Sequence, residues 1–350
     1  MKIGYNFVKI WVRIGLFFYY KKIKVIGREN IPKDKPIMLL SNHHNALMDA
    51  LVITMNCGRK PYFLARSDLF KNPLVSRFLH YLQMMPIYRF RDGVGTLKNN
   101  PAIIEKCAEL LIKGETIMLF PEGNHGIQRK VRLPMRKGFV RMIFSALEKK
   151  PNLDIRILPV GLNYHKAESF PDSVALYIGK DFAVRDYYDP NDLVATEAKL
   201  KELVFNNLKI LTSHIPGEDT YDNVHAHLND LEVDYLDPKA VNKTILNIDP
   251  TLKNEFKEQK FSFFTKMVQA VYILINFPMI LLWNKVVKPI GTEIEFRTTL
   301  RFMMGLMLFP LFYVLLYVIL VYIFGQEIAL IVLIAHILFN LAYVKLIKYT

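Results

Sequence analysis

Ser41-Asn42-His43-His44-Asn45-Ala46-Leu47-Met48-Asp49 follows the apolar run Pro36-Ile37-Met38-Leu39-Leu40 and leads into Ala50-Leu51-Val52-Ile53. The first run reads as a buried strand and the second as the body of a helix. His44 and Asp49 stand five residues apart, and at roughly 100° per helical residue two such side chains do not share a face. They meet only across a turn. If the chain leaves the strand at His44 and Asn45 caps the helix carrying Asp49, the imidazole folds back onto the carboxylate. Asp49 then fixes the tautomer of His44 and stabilises its charged form, making His44 a positioned general base. A capped strand-to-helix turn with incidental histidines is the alternative, and His43 alone reads as a structural hydrogen-bonding residue.

Outward from this stretch, strand and helix patterns alternate. Strands are predicted at 23–28, 37–40, 61–66, 85–89, 116–120 and 155–160, and helices at 74–82, 97–112 and 139–147. This alternation predicts an α/β domain with a largely buried sheet. Polar groups gather at three strand ends: His44 with Asp49, Arg89 with Arg91, and Glu122 with Gly123. α/β folds commonly place their sites at strand ends. Asp92-Gly93-Val94-Gly95 lacks the full phosphate-loop fingerprint and reads as a turn.

The 350 residues carry a net charge of +14 and are 52% hydrophobic. Residues 1–185 hold about +17 and residues 186–260 about −7, so the basic part is the part with the His-Asp stretch. Such a surface suits anionic head groups, phosphorylated substrates or acyl carriers. Nucleic acid is disfavoured, because no zinc, helix-turn-helix or RNP-type pattern accompanies the charge. Cys57 and Cys107 show no ligand spacing and point to a reducing compartment.

Four regions follow. Residues 1–21 mix Phe7, Ile10, Trp11, Phe17 and Phe18 with Lys9 and Arg13, as expected of an amphipathic helix in the membrane interface. Residues 22–185 form the α/β domain. Residues 186–260 form an acidic helical cap or linker with one helix near 192–213 and solvated His214, His225 and His227. Residues 261–350 form a membrane domain with a transmembrane hairpin over 302–344. Arg297 and Arg301 before the hairpin, with Lys345 and Lys348 after it, place both ends and the catalytic domain on the cytoplasmic side. Residues 267–283, interrupted by Asn276 and Pro278, are expected to be re-entrant or interfacial.

Together the strand ends resemble the glycerolipid acyltransferase family, which includes bacterial lysophosphatidic acid acyltransferases. The resemblance spans about residues 22–185. The family's N-H-x-x-x-x-D block is matched in register by His44 to Asp49 and loosely by Asn42 and His43. Its strand ending in Arg looks like Pro86-Ile87-Tyr88-Arg89. Its F-P-E-G block is similar to Phe120-Pro121-Glu122-Gly123, and its Pro-Val strand to Ile157-Leu158-Pro159-Val160-Gly161. The resemblance implies a mixed sheet flanked by helices, of the glycerol-phosphate-acyltransferase type, with the interfacial and transmembrane helices added at its ends. It implies direct transfer of an acyl group from acyl-CoA or acyl-carrier protein to the hydroxyl of lysophosphatidic acid, with no cofactor and no metal. His44 is then the base and Asp49 its orienting partner. Arg89 holds the acceptor phosphate, Glu122 and Gly123 shape the acceptor site, and Lys137 adds positive charge.

Asn124-His125 stands where Thr-Arg is common, so a phosphate contact is missing or moved to Arg129, Lys130 or Arg132. The same form is similar to glycerol-3-phosphate acyltransferases. Glycerol-3-phosphate or an amino-lipid is therefore the alternative acceptor, and a non-catalytic lipid-binding membrane protein the alternative of another class. A divalent ion held by His43, His44, Asp49 and His125 is a further alternative.

Overall fold

The computed structural model describes residues 2–89, 94–249, 263–288 and 294–347. Arg91, Asp92, Gly93 and Lys348, named above, lie outside them, as does the end of the acidic segment from Pro250.

Helix α1 (Lys2–Tyr19) runs directly into strand β1 (Tyr20–Ile26), followed by β2 (Ile37–Ser41) and α2 (Ala46–Asn56). Next come β3 (Tyr62–Arg66), α3 (Pro73–Tyr81), β4 (Met84–Ile87), α4 (Asn100–Ile112), β5 (Thr116–Leu119) and α5 (Gly138–Lys149). Then follow β6 (Arg156–Tyr164), β7 (Asp172–Ile178), β8 (Phe182–Ala183), α6 (Leu193–Leu211), α7 (Tyr221–Asp230) and α8 (Pro238–Ile245). The remaining helices are α9 (Phe263–Ile275), α10 (Phe277–Val287), α11 (Ile294–Phe324) and α12 (Gln326–Leu346).

All five residues of β2 are buried, because this strand is central and covered on both faces. The strand order is β1-β7-β6-β2-β5-β3-β4, with β8 beside β6. β2 pairs in parallel with β5 and β6, and β3 in parallel with β4 and β5. β7 reverses direction against β6 and makes the sheet mixed. Alternation along β2 splits the core. Met38 and Leu40 face one layer with Phe139, Ile143, Leu200 and Val204 from α5 and α6. Ile37 and Leu39 face the other with Leu16, Val52, Ile53 and Phe302 from α1, α2 and α11. Because β2, β3, β4, β5 and β6 are mutually parallel, their C-terminal ends share one edge.

β7 and β8 have no counterpart in the sequence reading, although Val174, Ala175 and Leu176 are as buried as any strand core. The acidic segment also folds further than expected. α7 and α8 enclose Ile215, Tyr221, Val224, Leu228, Tyr235 and Val241 in a small core of their own. The expected solvated histidines are corrected in part. His214 accepts the Val131 amide at 3.0 Å, and His225 lies between the rings of Tyr221 and Tyr235. Burial lowers the pKa of both to about 4.

Among the described residues, two helices are long and apolar enough to cross a membrane, over 296–324 and 326–346, joined at Gly325. α11 begins eight residues before the predicted hairpin, and its first turns pack on the sheet domain: Thr298 and Phe302 are each 1% exposed. Thr298 Oγ1 donates to the Ala167 carbonyl at 3.1 Å. α9 and α10 meet at Asn276 with an 88° bend.

Candidate active site

The β2–β6 ladder continues one residue past Ser41 through a side chain. Asn42 Oδ1 accepts the Leu162 amide at 2.7 Å and its Nδ2 donates to the Leu162 carbonyl at 3.0 Å. With Asn42 held as a strand residue, the two-residue alternation of extended chain carries Asn42 and His44 to one side and His43 to the other. The structure therefore corrects the expected pairing. The imidazole on Asp49 is that of His43, with Nδ1 at 2.7 Å from Oδ2. His44 turns toward Asn42, its Nε2 3.4 Å from Nδ2, and contributes only its backbone amide to Asp49. Burial depresses the His44 pKa to about 4, with the Asp49 charge opposing, so its ring is neutral at neutral pH.

Asp49 is fully buried and gathers four donors. His43 Nδ1 and the amides of His44 and Asn45 reach Oδ2 at 2.7, 2.8 and 2.7 Å, and the Tyr164 hydroxyl reaches Oδ1 at 2.6 Å. Burial would raise its pKa, but the donors outweigh burial and hold it below the usual value. They also tie the turn to the first turn of α2, whose N-terminal dipole favours an anion.

The loop after β5 supplies the facing wall. Phe120 stacks on the His43 ring at 3.9 Å between centroids, and His125 meets it edge-on at 5.4 Å. Arg132 donates Nε to Glu122 Oε2 at 2.8 Å and Nη2 to the His43 carbonyl at 2.6 Å. The Gly126 amide donates to that same carbonyl at 3.2 Å. Burial raises the Glu122 pKa to about 7 against the opposing Arg132 charge. Gly123 sits at φ +74, and a Cβ there would fall 2.7 Å from Arg136 Cγ.

The other predicted residues are spread along the same sheet edge. Arg89 follows β4, where Asn100 grips the Tyr88 backbone from both sides at 3.0 and 2.8 Å. Its guanidinium stands 3.9 Å from Asp68, which Arg66 engages through two contacts of 3.1 and 2.7 Å. Arg66 lies over the Phe296 ring of α11, and that ring meets His125. Lys137 is exposed at the N-cap of α5, outside this set. The four candidate metal ligands do not converge, and among the described residues no group of three or more His, Cys, Asp or Glu could hold a metal ion. Sequence reading missed Tyr164, although the Leu162/Tyr164 alternation extends β6 to it. It also left Arg66 without a role, although that residue ends an apolar run as Arg89 does.

Arg129 also holds the wall. The Arg129 guanidinium donates to the carbonyls of Tyr164 at 2.8 Å and His165 at 2.6 Å, and stacks 3.4 Å from the Tyr235 ring centroid. The Ile215 amide donates to the Arg129 carbonyl at 2.8 Å.

A family model described as acyltransferase matches residues 22–163. A chloroplastic 1-acyl-sn-glycerol-3-phosphate acyltransferase of Arabidopsis thaliana is 30% identical over 125 residues, covering 35% of this chain and 32% of that protein. Glycerol-3-phosphate O-acyltransferase 2 of Saccharomyces cerevisiae is 22% identical over 311 residues, covering 58% of this chain and 41% of that protein. The chain thus spans less than half the length of these two relatives. The solved structure of the 1-acyl-sn-glycerophosphate acyltransferase PlsC from Thermotoga maritima aligns with 61% of this chain and 81% of its own at 22% identity, with a TM-score of 0.43. The match over residues 22–163 takes in the His43–Asp49 pair and Glu122.

Proposed function

We propose that this chain is a membrane-bound O-acyltransferase that esterifies the free hydroxyl of 1-acyl-glycerol-3-phosphate, with acyl-CoA or acyl-carrier protein as donor. The contact that carries this reading is His43 Nδ1 to Asp49 Oδ2 at 2.7 Å. It commits one ring nitrogen to a buried carboxylate and leaves Nε2 for the acceptor hydroxyl, so His43 takes the role expected of His44. In the reaction, the hydroxyl oxygen bonds to the thioester carbonyl carbon as its proton passes to Nε2. The tetrahedral oxyanion then collapses, the C–S bond breaks, and the leaving thiolate recovers the proton from His43. Asp49 stays ionised and stabilises the imidazolium. Arg89 and Arg66, from adjacent strand ends, supply the planar cations suited to a phosphate. Glu122 orients Arg132, and Gly123 permits the tight approach of Arg136. Residues 22–185 carry the chemistry, while α1, α11 and α12 hold it at the bilayer with both ends of the hairpin on the cytoplasmic side.

Glycerol-3-phosphate is the second reading, favoured by Asn124-His125 and by the similarity to the yeast protein over 58% of this chain. The test is acyl transfer from a labelled thioester in detergent, each acceptor offered alone, to wild type, His43→Ala and His44→Gln. Transfer to one acceptor names it. His43→Ala should lose about 10²- to 10⁴-fold, and His44→Gln should stay within about tenfold of wild type. Loss in His44→Gln with His43→Ala still active would return the base to His44. Absence of transfer in wild type would remove the acyltransferase reading for these acceptors.

A further inference from the structure

A cavity of about 600 Å³ lies outside residues 22–163, walled by α1, the bent pair α9–α10, α11 and α12. On α11 its wall runs from Arg301 and Phe302 past Gly305 and Phe309 to Tyr313, about 18 Å of helix at 1.5 Å per residue. Arg301 stands at the end nearest the sheet domain, its guanidinium 4.9 Å from the Trp283 ring centroid and one nitrogen 3.4 Å from the Glu168 carbonyl. The far end is polar but closed on itself. Asn276 and Asn340 exchange bonds of 2.8 and 3.1 Å, and Asn340 donates to the Tyr313 hydroxyl at 3.0 Å. Apart from Gln269, the rest of the lining is largely apolar, including Ile14, Phe18, Ile280, Leu306 and Ile337.

The cavity is partly open to its surroundings, and an apolar lining gives water few partners. Gly305 adds to the case. A Cβ there would meet nothing within 4 Å, so packing does not demand glycine, which costs roughly 1 kcal/mol against alanine inside a helix. Its absent side chain keeps the channel wide. Two of the surrounding helices are long and apolar enough to span a bilayer, so the material beside the cavity is lipid. A guanidinium has five donors, of which the Glu168 carbonyl takes one, and Arg301 lines the end of the cavity beside the sheet domain.

We infer that this cavity binds one phosphate-headed glycerolipid, with an acyl chain along α11 and the phosphate on Arg301. The site is separate from His43 and Asp49, and it does not depend on the acyl-transfer reading.

The test is native mass spectrometry of the delipidated full chain in detergent, titrated with phosphatidic acid, lysophosphatidic acid or phosphatidylcholine. Wild type should bind one phosphatidic acid or lysophosphatidic acid more than Gly305→Phe does, and hold it at least about tenfold tighter than phosphatidylcholine, as expected for a charge-assisted contact. Lysophosphatidic acid binding best would make the occupant a single-chain lipid, and phosphatidic acid a two-chain bilayer lipid; either supports the site. Gly305→Phe should lose that one lipid, with Gly305→Ala retaining it. Arg301→Gln should erase the preference for the anionic lipids. His43→Ala should bind as wild type does, so loss of transfer and loss of this site are read apart. The inference is overturned by no saturable binding in wild type, by undiminished binding in folded Gly305→Phe, or by an unchanged preference in Arg301→Gln.

Discussion

Two carboxylates stand at the ends of adjacent strands, Asp49 after β2 and Glu122 after β5, and neither side chain is open to solvent. Burial pushes both toward the neutral form, yet they end on opposite sides of their usual values. Asp49 has four donors across its two oxygens, and its pKa is lowered. Glu122 has Arg132 on Oε2 and, among the described residues, no hydrogen-bond partner on Oε1, and its pKa rises to about 7. The number of donors aimed at a buried carboxylate, more than its burial, decides whether it stays charged. The β2 turn thus holds a fixed anion, and the β5 turn a group that titrates near neutrality.

The largest expected effect comes from making the first carboxylate resemble the second. Asp49→Asn keeps the shape but removes the charge and turns one acceptor into a donor facing donors. Acyl transfer should fall by about 10²- to 10⁴-fold in kcat, with the acceptor KM little changed. A loss under tenfold would mean that His43 needs no anion behind it, and the contrast between the two carboxylates would lose its functional meaning.

The second prediction sharpens the contrast through pH. Glu122 has a folded pKa of about 7, above its ordinary 4.5. Between those values the folded chain binds the proton and the unfolded chain does not, so this group's contribution is full below pH 4.5 and is lost as pH rises through 7. His44, His214 and His225, depressed to about 4, act in the other direction: their contribution is present above pH 6.5 and lost as pH falls through 4. The difference between wild type and Glu122→Gln isolates the carboxyl. The thermal midpoint of Glu122→Gln relative to wild type should rise from pH 5 to pH 8, by the equivalent of a few kcal/mol at most. A flat difference would show that Glu122 is ionised throughout.

The strength of the β2 turn is also why it was legible. Apolar Ile37 to Leu40, the polar nonapeptide and the following helix lie within one short stretch, so pattern alone found the strand, the turn and Asp49. It failed at the choice between adjacent histidines. That choice is set by Asn42 bridging to Leu162, a partner 120 residues away that no local pattern reports. The β5 turn was legible only in its first half. Glu122 stood out, but its surroundings depend on Arg132, named in the sequence only as a substitute phosphate ligand, and on a cap whose helices are short. α7 and α8 span ten and eight residues, too few for periodicity to separate them from a linker. β7 escaped for a similar reason, since one face of it is filled by small Ser173 and Ala175 rather than by a plain apolar alternation.

The smallest effect tests whether the cap matters to the turn it holds. Arg129 lies between the carbonyls of Tyr164 and His165 and the ring of Tyr235, its backbone bonded on either side to Tyr221 and Ile215. Val131 is bonded to His214, and the next residue, Arg132, bonds both Glu122 and the His43 carbonyl. A desolvated cation over an aromatic face is worth about 2 kcal/mol. Tyr235→Leu should therefore loosen 129–132 without unfolding the sheet, and amide exchange there should quicken while that of β2 stays put. Transfer should fall by about tenfold or less, because His43 keeps Asp49 and loses only part of the support behind its carbonyl. Tyr235→Phe retains the ring and should match wild type in both readouts. Equal exchange in the Leu and Phe variants would detach the cap from the site. Quickened exchange with unchanged transfer would show that the β2 turn holds His43 without help from the β5 wall, making the fixed carboxylate sufficient for the imidazole it orients.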